Sequence, residues 1–418
     1  IGQGALSANT TASYNVAVGR NALDLNTTGA NNIAVGSFAL DANTTGGDNS
    51  ALGDRALSAN TTGAQNVAVG RKALQANTTG ASNTALGNYS LFSNTTADYN
   101  TAVGRSALEA NTTGANNTAV GFQASNDNTT GTQNVAVGYQ AFTNGTTGSY
   151  CTAIGVSALQ AVVTGDNNTA IGRKAMYDNT SGANNTAVGN AALGNNTTGV
   201  ENNAFGSGAL SSNTTGYENV AMGRGAGFEN TTGSRNTYVG DDANQLNVTG
   251  SNNTVIGRFN GNQGGLNLTN TSNNVVISDG DGNIKFAYQS SGNTTKMPDV
   301  YTNTSGSAAN VVILASGTIC RSTSSLKYKR DVQDATHGLA EVLQLRPVTY
   351  KGKNAEDGDT VFGGLIAEEV HDAGLTEFVQ YADDETPDAL AYSNMVSLCI
   401  KAIQELSTQN AALAARLT

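Results

Sequence analysis

Few side chains in this 418-residue sequence combine the type and spacing that chemistry needs. Asp279-Gly280-Asp281-Gly282-Asn283 imitates the opening of a calcium-binding loop. No Glu follows where such a loop requires one and no helical pattern flanks it, so the segment is expected to be the turn of a hairpin. Asn-Thr-Thr triplets match the N-glycosylation acceptor pattern, but their fixed recurrence makes them turn residues. Cys151, Cys320 and Cys399 are odd in number and far apart, and His337 and His371 are the only histidines. Neither a disulfide framework nor a metal site is expected from them, and no cofactor. Residues 1–258 offer no local pair of carboxylates in a shaped cleft, as glycoside hydrolysis requires. Ser322 and Lys327 stand five residues apart in a polar run and carry no signal by residue type alone.

The elements that must position any site are set by a repeat. Sixteen glycines, from Gly2 to Gly257, recur at an unbroken interval of 17 residues. A period this short marks one turn of a solenoid. The residue before each such glycine is apolar (Val18, Leu52, Ile154, Phe205), and four residues after it a Leu usually returns, as at Leu23, Leu40, Leu57 and Leu74. These patches predict two short strands per coil joined by tight turns and stacked in parallel on the next coil. The glycine would supply a positive φ or room for a neighbouring backbone. An Asn four residues before it, replaced only at Cys151 between Asn15 and Asn253, predicts a ladder of amides along the axis. At about 4.8 Å per coil the stack would extend roughly 70 Å. Its small, Ala-rich faces are expected to need several chains side by side.

A formal charge of −11 and a pI near 4.6 oppose a sequence-independent nucleic-acid binder or an acidic-membrane binder. No run of about 18 apolar residues is present, so no membrane insertion is expected. The chain opens at Ile1 inside a repeat, which leads us to expect a preceding part that joins other tail or surface-anchoring proteins.

After the repeat, residues 259–321 are expected to form a β-rich transition, and composition then shifts to that of a compact α/β domain over 322–418. Ser322-Thr323-Ser324-Ser325-Leu326-Lys327-Tyr328-Lys329-Arg330-Asp331-Val332, then Leu343-Gln344-Leu345-Arg346-Pro347-Val348-Thr349-Tyr350, then Gly363-Gly364-Leu365-Ile366-Ala367-Glu368-Glu369-Val370, then Ile403-Gln404-Glu405-Leu406 follow in order. In that order and spacing they resemble the intramolecular chaperone domain of endosialidase-type phage tail spikes and tail fibres. The resemblance implies a module that assembles the preceding stalk as a trimer and then cuts itself off. It implies Ser322 as nucleophile, Lys327 as base, and cleavage between Arg321 and Ser322. A lysine serves as base when burial or nearby cations lower its pKa, and Lys329 and Arg330 are cations close enough in sequence to assist. Thr323 stands where the family usually has Asp, and Glu368 replaces a common Gln. The repeat motif Asn-x-Ala-Val-Gly-x-x-Ala-Leu resembles the head repeats of trimeric autotransporter adhesins, which implies a trimer of left-handed parallel β-rolls. Tyr392, Val396, Cys399, Ile403, Leu406, Asn410, Leu413 and Leu417 form a heptad seam, which predicts a coiled-coil helix.

The resulting expectation is a mainly β protein: a trimeric left-handed parallel β-roll, or β-solenoid, of 17-residue coils over 1–258, the transition over 259–321, and an α/β chaperone over 322–418 ending in a long helix. As a homotrimeric phage tail fibre on the virion it would bind a host glycan or protein receptor, with Phe38, Tyr89, Phe122 and Tyr139 as candidate contacts. Its only enzymatic activity would be autoproteolysis by Ser322 and Lys327. A cellular adhesin or extracellular fibre with the same chaperone, or a glycan-degrading tail spike, are the alternatives.

Overall fold

The computed structural model describes residues 1–161, 164–292, 294–297, 311–313, 319–321, 330–353, 359–382 and 385–417. The chain divides into two compact units, Ile1–Ser305 and Gly306–Thr418.

The first unit is a β-solenoid. Fifteen three-residue strands, from Val16–Val18 to Thr254–Ile256, stack in parallel, and each pairs with the strand one period on, as Val67 does with Thr84. The next step is 21 residues, from Thr254 to Val275, and four extra residues are taken up beside a small antiparallel pair, Asn262–Gln263 with Leu266–Asn267. Strand Val275–Ser278 then turns antiparallel into Ile284–Gln289, which pairs with Thr294–Lys296. This antiparallel turn-back closes the last rung of the parallel stack, whose N–H and C=O groups would otherwise be open. The expected hairpin is present. Asp279 holds its turn by accepting the N–H groups of Asp281 and Asn283 at 3.0 and 2.9 Å. The Asn283 amide, bonded to the same side chain, keeps the Asp279 carboxyl below its ordinary range.

Each strand buries its middle residue, usually Ala, and turns its first and third outward, the alternation that a pleated strand imposes. The recurrent glycine ends the strand for two reasons at once. Gly70 has φ +135°, and a Cβ there would lie 2.6 Å from the carbonyl carbon and oxygen of Gly87. No other residue fits so close to the coil above.

The expected second strand is not formed. Residues 71–76 run as turns, with Lys72 at φ 60° and Leu74 at φ 51°. Their backbones still bond between coils: Lys72 N–H donates to Asp54 O at 2.9 Å, and Leu74 and Ala76 N–H donate to Ser90 and Phe92 O at 3.0 Å. Alternating left-handed residues bend the chain round the core without losing those bonds, and Leu74 is carried into the interior.

Two amide ladders run inside the stack. The expected one exists: Asn66 N–H donates to Asn49 Oδ1 at 3.0 Å, and its Nδ2 to Gly80 O at 2.9 Å. A second uses the Asn of the Asn-Thr-Thr triplets, with Asn60 Nδ2 donating to Asn43 Oδ1 and Gly63 O, both at 2.9 Å. Asn26, Asn43, Asn60 and Asn77 are fully buried, so these triplets present no acceptor for a glycan.

Both ladders falter together. Phe142 replaces a core Leu, and its ring occupies the space above Gly145, which stands where the second ladder would have Asn. Asn128 Oδ1, one coil earlier, consequently lacks a partner. Cys151 replaces the other ladder's Asn, and burial pushes its thiol up to about 11.

In the second unit, α1 (Leu339–Val342) leads to the hairpin Val348–Lys351 and Val361–Gly364. Helix α2 (Ala367–Asp372), a short 3-10 turn, and the pair Val379–Tyr381 with Pro387–Leu390 follow. Helix α3 (Met395–Leu417) ends the unit. Val370, Leu375, Phe378, Val379, Met395 and Leu398 form its core.

Candidate functional sites

The helix α3 is divided between two tasks. Met395, Leu398 and Ala402 fall on one face at helical spacing and are buried against the unit's own core. Val396, Ile400 and Ile403 face outward, with Ile403 65% exposed, and from Ile403 to Leu417 no residue is buried. The expected heptad positions Tyr392, Val396, Cys399, Ile403, Leu406, Asn410, Leu413 and Leu417 are all exposed. An apolar groove of about 460 Å³ runs beside them, lined by Val342, Leu345, Leu365, Val396, Cys399 and Ile403.

Polar bonds fix the helix to the rest of the unit. Leu339 N–H donates to Glu405 Oε2 at 2.8 Å, so α3 caps the start of α1. Tyr392 Oη accepts Leu365 N–H at 2.7 Å and donates to Leu365 O at 3.1 Å. Arg346 bonds Glu369 through both Nε and Nη2. His337 Nδ1 meets Glu377 Oε1 at 2.6 Å, and that carboxylate raises the imidazole pKa. His371 Nδ1 meets Tyr381 Oη at 2.8 Å. Among the described residues no three His, Cys, Asp or Glu side chains gather as a metal site would require.

Strand Val311–Ile313 pairs with Ile319–Arg321, which brings the chain up to the expected cleavage point. Ser322 and Lys327, with Thr323 and Lys329, lie outside the described residues. Arg330 is exposed and lies 4.0 Å from the carboxylate of Asp331. Glu368 is exposed at the start of α2.

The four candidate receptor contacts share one edge of the solenoid, at the first or second position after the recurrent glycine. Phe38 lies between the guanidinium groups of Arg20, 4.5 Å from its centroid, and Arg55, at 5.6 Å. Tyr89 has Arg71 and Lys72 over its ring, each at 5.6 Å, and accepts a bond from Arg71 Nη1 at 2.9 Å. Phe122 stacks on Tyr139 at 5.4 Å and 12°, with the Arg105 guanidinium 5.7 Å from its centroid. Coil-to-coil neighbours thus cover ring faces. The interleaved cations were visible in the sequence, but only the coil register reveals them as one column.

Residues 324–380 match the family described as the chaperone of endosialidase. The matched segment lies within the second unit. The matched segment includes Lys327 and begins two residues after Ser322. Chaperone domains of this family are associated with trimeric assembly. No curated protein and no solved structure matched the chain.

Proposed function

We propose that this chain is the shaft and C-terminal chaperone of a homotrimeric fibre of the phage-tail type, carried on the virion and attaching to a host surface. The observation that carries the reading is the third strand position. Sixteen successive residues there, from Val18 to Ile277, are apolar, and none is buried: Leu52 is 51% exposed and Met222 47%. With on the order of 60 Å² open on each, the stripe offers about 1,000 Å² per chain, against about 800 Å² per partner in a standard interface. Lateral packing of three chains would cover it, and α3 supplies a second exposed apolar seam.

The chaperone accounts for how such a trimer starts in step. Every coil offers nearly the same pairing edge as the next, so chains displaced by one coil would bury similar surface. A folded C-terminal trimer sets the register. Residues 259–321 then serve as the transition between shaft and chaperone.

In the proposed cleavage, Ser322 Oγ attacks the Arg321 carbonyl carbon while the Lys327 amine takes the hydroxyl proton. The C–N bond breaks, its nitrogen receives that proton, and water hydrolyses the resulting ester to leave Arg321 as a carboxylate. Mass spectrometry of purified protein should find a fragment beginning at Ser322, absent from Ser322→Ala and Lys327→Ala. A wild type that assembles and stays intact would remove cleavage from the account. Deleting 322–418 should abolish assembly. Equal yield of the same trimer from the truncated chain would remove the chaperone role.

A further inference from the structure

The solenoid's charge is sorted by position. Ten Lys and Arg lie between residues 1 and 258, and nine occupy the two positions after the recurrent glycine, whereas only three of the fourteen Asp and Glu do. One edge of an acidic protein therefore carries a basic column. At its far end Arg224 and Arg258 are neutralised by Asp241 and Asp242, and Arg71 lies 4.0 Å from Asp54. Arg20, Arg55, Lys72, Arg105, Arg173 and Lys174 form no ion pair among the described residues. From the coil spacing, Arg20 to Arg105 places cations about 5 to 10 Å apart along the axis.

A cleft opens beside this column. Phe38, Arg55, Asp41, Ser58 and Gln75 line about 290 Å³. Cations in a row along a polar cleft suit an extended ligand that carries anions at intervals and polar groups between them.

We propose that this edge, from Arg20 to Lys174, binds a linear acidic polysaccharide, with its carboxylates on the unpaired cations and a sugar unit seated in the cleft beside Phe38 and Arg55. Single-stranded nucleic acid fits less well, because its bases need open aromatic faces. Here Phe38 is held between Arg20 and Arg55, and Phe122 lies against Tyr139. The inference deepens the attachment reading by naming the class of receptor, and it rests on that reading only for its biological role.

The test uses the full chain, its assembly state first established by sedimentation, with polygalacturonate, neutral dextran and oligothymidylate as probes. Arg55→Ser, Lys72→Gln and Arg105→Asn are combined, each borrowing a residue that the same position holds in another coil (Ser106, Gln123, Asn88). Wild type should bind polygalacturonate, more weakly as salt rises, and should not bind dextran. The triple variant should bind at least tenfold more weakly. Lys72→Gln alone should weaken binding two- to threefold, and Lys72→Arg should not. An assembled fibre that ignores polygalacturonate, or a folded triple variant that binds it equally, overturns the proposal while leaving the fibre reading intact. Tighter binding of oligothymidylate overturns it in favour of nucleic acid.

Discussion

Replacing Gly70 with Val tests why the coil closes as it does. The backbone at Gly70 sits at φ +135°, a region that side chains with a Cβ avoid at a cost of about 1 to 3 kcal/mol. The added Cβ would also approach the Gly87 carbonyl carbon to 2.6 Å and Asn88 N to 3.0 Å. The coil above must therefore move. That weakens the 2.8 Å bond from Gly70 N–H to Leu52 O and the strand pairing of Val67–Val69 with Thr84–Leu86, each bond contributing about 0.5 to 1.5 kcal/mol. The sum is a local loss of about 3 kcal/mol, or roughly a hundredfold in the opening equilibrium. Hydrogen exchange of the 67–69 and 84–86 amides reads it directly: they should exchange about a hundredfold faster in Gly70→Val. In Arg71→Asn, which copies Asn88, the rates should change less than threefold. Unchanged protection in Gly70→Val would refute the claim that close approach and positive φ require glycine.

Phe142→Leu combined with Gly145→Asn should raise stability by about 1 kcal/mol in chemical denaturation, because the new amide reaches the unpaired Asn128 Oδ1. Gly145→Asn alone should lower it, since the Phe142 ring fills that space. Cys151, buried with its thiol pKa pushed up to about 11, should resist alkylation at pH 8 until the protein unfolds. His337 should titrate above its ordinary value in an NMR pH series and return to it in Glu377→Gln. Because its folded pKa is the higher one, its small contribution to stability should be complete below about pH 6.5 and fade as pH rises through the folded value.

The period, the strand and the recurrent glycine were legible because each is a side-chain pattern repeated at every coil. The second patch was misread because hydrophobic spacing does not report φ. Leu74 is apolar and buried as a strand residue would be, yet it sits at φ 51°. A signal is available: Gly227 occupies the position of Leu74, and Gly208 and Gly225 that of Lys72, in later coils, also at positive φ. The second amide ladder reads as turn chemistry in the sequence because a buried Asn and a turn Asn look alike there. Around α3 the heptad pattern identified the outward seam, and the inward stripe of Met395, Leu398 and Ala402 needed the domain core to be seen. Ser322 and Lys327 were singled out by family likeness, and the described residues do not include them.

In a trimeric fibre the apolar stripe is covered by two further copies of the chain. Native mass spectrometry of the freshly assembled protein tests this directly. It should report three chains together, each of 42.4 kDa while intact and each lighter by its C-terminal fragment once that fragment is released. Leu52→Asp combined with Leu86→Asp, on the stripe, should shift the population to single chains. A wild type that is folded and monomeric at micromolar concentration would contradict it.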